Sequence, residues 1–300
     1  MSITYRPMTF GVTRVDLRDG GPGVHYLSAQ QPLQPYPERI TDRMAHWVQT
    51  RPEQTFMARR VKNADGSLGD WSHLTYADVW ARGKAIAQFL LDHGLNEQRP
   101  VAILSENSLE HAQLAVACLI AGVPHVPVSP PYSLVSQDYD KLKHVLQTVT
   151  PGLVFAQDTR YAKAITATVP VELPVVLAQG TCPDRPTLSL QDLQAKPATA
   201  AVDQAMAATG ADTITKFLFT SGSTKLPKAV INTQRLWCAN QQQMFQSMPV
   251  LGETPLVLVD WLPWNHTFGG NHNFGMVMYH GGTLYIDDGK IGRASCRERV

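Results

Sequence analysis

The chain has 300 residues, 44% of them hydrophobic and 17% charged, with a formal net charge of +1 at pH 7. That length and balance predict a soluble globular protein of one large domain or two ordinary ones. A charge so near zero gives no electrostatic basis for binding nucleic acid or an anionic membrane surface.

No run of about 18 apolar residues occurs, and the N-terminus lacks a basic segment followed by an apolar core, so no integral membrane association and no secretion signal are predicted. The four cysteines, Cys118, Cys182, Cys238 and Cys296, are scattered without a Cys-x-x-Cys pair. They indicate neither a disulfide framework nor a zinc site, and a reducing cytoplasm is the expected location. Asn265-His266-Thr267 matches a glycosylation sequon, which means little without a secretion signal.

Residues 1–37 are rich in Gly and Pro and predict an extended arm over the surface of a larger body. A helix is predicted over 40–50, with Thr41, Asp42 and Arg43 outside and Met44, Trp47 and Val48 inside. Residues 56–61, the turn at 63–67 and the stretch up to Trp71 predict a hairpin. Thr75 with Asp78 opens a helix whose apolar face carries Val79, Ile86, Phe89 and Leu90, and Gly94 closes it. A buried strand follows at 100–105. Asn107 with Glu110 has capping-box spacing for a helix through Ile120, stopped by Gly122. Strands are predicted at 123–128, 152–156 and 174–177, with a helix at 138–148 between the first two. This alternation predicts an α/β fold, a parallel sheet with flanking helices on both faces. The Gln-, Ala- and Thr-rich stretch 183–208 predicts a surface connection.

Phe217, Leu218 and Phe219 predict a buried strand that stops at Thr220, Ser221, Gly222, Ser223 and Thr224. A Ser/Thr/Gly cluster is by itself ordinary turn chemistry. It is also what a phosphate loop needs: small residues admit an anion close to backbone N–H groups, hydroxyls add donors, and Lys225 or Lys228 supplies charge. Pro227 stiffens the exit. No Gly-Lys-Ser/Thr closes the run, so it is not a Walker loop. Thr233 then caps a helix to about Met248, and Pro255–Asp260 predicts another buried strand. That strand leads to Trp261-Leu-Pro-Trp-Asn-His-Thr-Phe-Gly-Gly, placing Trp264, His266 and Phe268 beyond a strand's carboxyl end, where open α/β sheets bind ligands. By residue type alone, the reading that fits better is Trp264 and Phe268 as core residues with an inert, hydrogen-bonded His266. His266, His272 and His280 do not share one helical face, so no metal site is predicted.

The order of residues 220–229 resembles the signature Thr-Ser-Gly-Ser/Thr-Thr-Gly-x-Pro-Lys-Gly of the adenylate-forming (AMP-binding) superfamily, which comprises acyl- and aryl-CoA ligases, luciferases and peptide-synthetase adenylation domains. Thr220, Ser221, Gly222, Ser223, Thr224, Pro227 and Lys228 agree; Lys225 and Ala229 stand at the two usual glycines. Leu74-Thr-Tyr-Ala-Asp-Val, Asn107-Ser-Leu-Glu and Ala121-Gly-Val-Pro-His-Val-Pro-Val-Ser-Pro resemble segments that precede that loop. Leu262-Pro-Trp-Asn-His-Thr-Phe-Gly resembles the family's Leu-Pro-x-x-His-x-x-Gly. The fullest likeness, in Phe219–Thr233 and Trp264–Gly275, is to feruloyl-CoA synthases, where the Lys-Leu-Pro-Lys-Ala form of the loop is usual.

The resemblance implies the front of the large N-terminal domain of an acyl-CoA synthetase, an acid–thiol ligase. Such an enzyme uses ATP, Mg²⁺ and CoA to turn a ferulate-like acid into an acyl-adenylate and then a thioester, a step of phenylpropanoid catabolism. It implies nucleotide contacts from Thr220–Thr224, Lys225, Pro227 and Lys228, catalytic roles for Lys228 and His266, and an acid site at Trp264, His266, Phe268 and Gly269. A fatty-acyl or peptide-synthetase adenylating domain is the alternative within the family; an inactive nucleotide-binding fragment is the alternative outside catalysis. The family's later motifs do not follow. The expected organisation is therefore an arm over 1–37, an incomplete AMP-binding domain over 38–290 and an Arg-rich, non-native tail over 291–300, inactive alone.

Overall fold

The computed structural model describes residues 8–289 except 13, 64 and 221–225. In chain order its elements are β1 Val15–Asp19, β2 His25–Ala29, α1 Ile40–Thr50, β3 Thr55–Lys62, β4 Leu68–Thr75, α2 Tyr76–Asp92, β5 Val101–Leu104, α3 Leu109–Ala121 and β6 His125–Pro127. There follow α4 Pro131–Leu134, α5 Asp140–Val149, β7 Leu153–Ala156, α6 Ala162–Thr168, β8 Val175–Leu177, β9 Leu188–Ser189, α7 Leu190–Leu193 and α8 Ala200–Ala208. Then come β10 Ile214–Thr220, β11 Lys228–Thr233, α9 Gln234–Ser247, β12 Val257–Asp260, a π-helical turn Phe268–Asn273, α10 Phe274–His280 and β13 Thr283–Ile286.

The larger sheet has seven strands in the order β11-β10-β6-β5-β7-β8-β9, parallel except for β11. Its central strands are short apolar runs because both faces are covered. Successive side chains point to opposite faces, so Val101 and Ile103 of β5 enter one core with Leu153 and Phe155 of β7. Ala102 and Leu104 enter another, with Val154 and Ala156 and the apolar stripes of α5 and α6. The first core is filled by α2 and α3. From His111 to Ala121 every residue of α3 is buried, and Gly83 of α2 lets the two helices close, since a Cβ there would lie 3.3 Å from Ile120 and Val116. Local chemistry sets the ends. Thr75 and Asp78 form a reciprocal capping box on α2, and Gly122, at φ 69°, terminates α3.

A second sheet, β12-β13-β3-β4, packs its buried residues Phe56, Met57, Leu284 and Ile286 onto the same first core. In it β12, β13 and β3 are parallel and β4 is antiparallel to β3. No helix among the described residues is long and apolar enough to cross a membrane.

Several elements differ from what the sequence predicts. The arm contains the exposed hairpin β1–β2. Thr41, placed outside by periodicity, is buried. The cap of α3 is Ser108, whose hydroxyl accepts from His111 N at 3.0 Å, and not Asn107. The stretch 183–208 holds β9, α7 and α8, with Thr199 pinned to Gln88 of α2 by two hydrogen bonds. β12 is an edge strand with Val257 and Val259 exposed, not a buried one. Residues 290–300 lie outside the described residues.

Among the described residues, Lys216, His111, His125 and His280 are buried without an ion-pair partner. Lys216 of β10 is 1% exposed; its Nζ donates to Gly270 O at 2.8 Å and lies 3.5 Å from the Trp237 ring centre. Burial pushes Lys216 and His125 well below their ordinary pKa values, and lowers His111 and His280 from 6.5 to about 4. Below pH 6.5 the unfolded chain protonates these imidazoles, whereas folded His111 and His280 resist until about 4. The unfolded state therefore binds more protons across that window, and stability falls as pH drops through it, by at most roughly 1.4 kcal/mol per pH unit for each imidazole. Urea denaturation at pH 7.5 and pH 5 is expected to show a lower midpoint at pH 5; equal midpoints would refute the buried neutral histidines.

Candidate active site

Strands of both sheets deliver their carboxyl ends to one cleft, the position where open α/β sheets bind ligands. β5 runs into Ser105, Glu106 and Asn107, β6 into Ser129 and Pro130, β7 toward Arg160, β12 toward Trp261, Pro263, Asn265 and His266, and β13 into Asp287 and Asp288. With Arg59 and Lys62 of β3, these residues line a cavity of about 520 Å³.

Asn107 joins the two sheets. Its Nδ2 donates to Leu262 O at 2.9 Å and its Oδ1 accepts from Trp264 N at 3.0 Å, so one amide grips the segment after β12 from both sides. The segment then turns tightly. His266 N donates to Pro263 O at 3.1 Å, and Gly270 N donates to His266 O at 2.8 Å. Glycine is required there: a Cβ on Gly269 would strike the carbonyls of Leu262 and Pro263, and one on Gly270 that of Trp264. Trp264 is buried, stacked on Phe274 at 4.8 Å and edge-on to His111 at 5.0 Å. His266, by contrast, is exposed and lines the cavity.

Charged pairs order the rim. Arg160 Nη2 meets Asp158 at 2.8 Å and Glu106 at 2.9 Å, and Asp288 takes Arg59 at 3.1 Å and Lys62 at 2.9 Å. Burial disfavours the charge of Asp158 and of Asp288, but hydrogen bonds and charge from their cationic partners outweigh it and hold both carboxyls below the usual range. These pairs are partly exposed and screened, so they orient side chains more than they stabilise the fold.

At the antiparallel edge of the larger sheet, β10 and β11 pair so that Thr220 lies opposite Lys228. The two residues bracket the predicted loop; Ser221, Gly222, Ser223, Thr224 and Lys225 lie outside the described residues. Pro227 is buried, and its carbonyl is 2.9 Å from His144 Nε2 of α5. Lys228 is exposed and forms no ion pair among the described residues. Of the predicted acid-site residues, only His266 lines the cavity. Phe268 is 56% exposed and stacks on His272 at 4.6 Å, and Gly269 is buried in the turn. Arg59, Lys62, Glu106, Arg160, Asp287 and Asp288 escaped sequence reasoning, because charged residues at strand ends are common and only the fold brings these together. Among the described residues no group of three or more His, Cys, Asp or Glu could hold a metal ion.

Asn107→Ala would leave Leu262 O and Trp264 N without this partner, and is expected to destabilise the protein by about 2 kcal/mol. Hydrogen exchange should then accelerate first in peptides covering 262–270; exchange raised evenly across the chain would refute the clamp.

The family model described as AMP-binding enzyme matches residues 44–296. The Mycobacterium leprae protein named fatty-acid–CoA ligase fadD21 is 29% identical over 215 residues, covering 67% of this chain and 34% of that protein. A linear gramicidin synthase of Brevibacillus parabrevis is 29% identical over 191 residues, 64% of this chain and 3% of that protein. Among solved structures, a fatty acyl-adenylate ligase from L. pneumophila, in complex with acyl adenylate and pyrophosphate, superposes with a TM-score of 0.61 at 20% identity, over 83% of this chain and 39% of that one. The chain thus spans about a third of the M. leprae relative.

Proposed function

Because this chain belongs to the AMP-binding enzymes, we propose that it carries the nucleotide loop of an acid–thiol ligase acting on an aromatic, ferulate-like carboxylic acid. The observation that carries the reading is the placement of His266 on a cavity at the strands' carboxyl ends, in the same domain as a Thr/Ser/Gly loop bracketed by Thr220 and Lys228.

In the proposed reaction a carboxylate oxygen attacks the α-phosphorus of ATP, the bond to the β-phosphate oxygen breaks, and pyrophosphate leaves. CoA thiolate then attacks the acyl carbonyl and AMP departs. Backbone N–H groups of the loop, the hydroxyls of Thr220, Ser221, Ser223 and Thr224, and the charge of Lys228 would hold the β- and γ-phosphates; Lys225 would add charge there, Gly222 give close approach, and Pro227 fix the exit. Mg²⁺ arriving with the nucleotide would neutralise phosphate charge. His266 would border the acid's carboxylate, on the turn fixed by Asn107 and Gly269. ATP and CoA as co-substrates suit an enzyme of the cytoplasm.

The aromatic preference draws support from the near-parallel Phe268–His272 pair, at 4.6 Å and 11°, in which Phe268 is 56% exposed and would offer its ring to a phenyl group. Trp264 would support the site from behind, as the floor on which the turn packs. A fatty-acyl substrate is the second reading, favoured by the name of the M. leprae relative.

Acid-dependent exchange of pyrophosphate into ATP, measured in a protein that carries the complete adenylating domain, tests both. Ferulate and coumarate are expected to support exchange better than fatty acids or amino acids; a preference for long-chain acids would replace the first reading by the second. Lys228→Ala is expected to lower exchange by about 10²-fold or more, by analogy with the loss of one preorganised charge stabiliser; an unchanged rate would sink the assignment of the loop. Phe268→Ala is expected to raise KM for ferulate by roughly tenfold with a smaller effect on kcat, the signature of lost ring stacking rather than lost chemistry.

A further inference from the structure

A second cavity, of about 300 Å³, opens at the far end of α10 between that helix, α1 and α9. It shares no lining residue with the cavity that holds His266. His280, on its wall, lies roughly 20 Å along the helical run from His266 at 1.5 Å per residue.

The chemistry of this cavity is one-sided. On α1 and its C-terminal cap, Arg43 and Arg51 flank Trp47, with guanidinium carbons 4.9 and 4.7 Å from its ring. Each gives one N–H to the carboxyl end of α10: Arg43 Nε to Tyr279 O at 2.8 Å, Arg51 Nη1 to Gly281 O at 3.2 Å. Those bonds suit cations at a helix C-terminus and explain why the arginines sit there. They use a minority of the five N–H groups each guanidinium carries. Neither arginine has an ion-pair partner among the described residues, their remaining nitrogens are not buried, and no carboxylate lines the cavity. His280 is 6% exposed and its buried Nε2 has no hydrogen-bond partner. The rest of the wall is largely apolar, including Phe245, Leu251 and the ring of Tyr279.

We propose that this cavity is a binding site for a small carboxylate with a compact aromatic or aliphatic body. The two guanidiniums present N–H forks matched to a carboxylate, and the rings and Leu251 accept the body. A bare phosphate would satisfy the charges but leave the apolar wall wet. The site is separate from the acid-activating reading of His266 and stands or falls without it.

The test is a titration of the full chain with benzoate, read by the Cε1–H resonances of His280 and His266, with inorganic phosphate as the competing probe. A saturable shift of His280 is expected, weakened about tenfold or more in Arg51→Gln. The same loss is expected in Thr254→Glu, which puts a negative charge on an exposed wall position and leaves both arginines intact, so a folding defect in the arginine variant does not decide the outcome. Phosphate should displace benzoate only weakly. Absence of a saturable His280 shift, a shift that persists in both variants, or phosphate binding as tightly as benzoate would overturn the proposal. A response confined to His266 would support the acid-activating site and overturn this one.

Discussion

The side-chain amide of Asn107 holds the two halves of the cleft in register. It leaves the end of β5, in the seven-stranded sheet, and grips the segment that follows β12, in the four-stranded sheet. Only an amide can donate to one backbone carbonyl and accept from a backbone N–H two residues on; a carboxylate lacks the donor and a hydroxyl lacks the reach. The residue's own carbonyl is taken by Arg59 of β3, so β5, the 262–264 segment and β3 meet at one side chain and its backbone. From that point the Gly269–Gly270 turn and the buried ring of Trp264 leave His266 little choice of position.

A second tie runs deeper. Lys216 lies on the strand that leads to Thr220, and its Nζ bonds Gly270 O inside the π-helical turn that follows His266. A buried cation without a carboxylate is expensive, and burial pushes this one well below its usual pKa. The Trp237 ring offsets part of that cost, and Trp237 Nε1 in turn donates to Asn271 O at 2.8 Å. The strand leading to the loop and the turn bearing His266 are therefore packed as one unit, so a shift of either would have to break a buried hydrogen bond.

Much of this fold is legible in the order of residues. Short apolar runs separated by capped helices carry their own boundaries, and Thr75, Asp78 and Gly122 act where local chemistry puts them. What stays hidden is non-local. The second sheet depends on Leu258 pairing with Leu284 and Leu284 with Met57, and periodicity within a segment says nothing about partners that distant. Asn107 shows the same limit at one residue: its spacing to Glu110 fits a helix cap, but Ser108 takes that role, and the amide is used by a chain segment about 155 residues away. The charged rim is invisible for the same reason, since Arg160, Asp288 and Arg59 become neighbours of one cavity only when the fold brings β3, β13 and the segment after β7 together.

The mixture of exposed and buried aromatic residues after β12 follows from these constraints. Trp264 had to be core: its backbone is held by Asn107 and the turn behind it needs a flat floor, which its ring supplies against Phe274 and His111. With Trp264 committed inward and Gly269 and Gly270 packed against carbonyls, the π-helical turn is the geometry that carries the chain from His266 into α10. Its wider turn presents Phe268 outward, stacked on the half-buried His272, while Asn271 points back to Asn232 of β11, 2.8 Å away. The sequence Trp-Asn-His-Thr-Phe-Gly-Gly-Asn-His-Asn-Phe thus separates into a supporting set, Trp264, Gly269, Gly270, Asn271 and Phe274, and a presented set, His266 and Phe268. Of this run, Asn265 and His266 line the cavity.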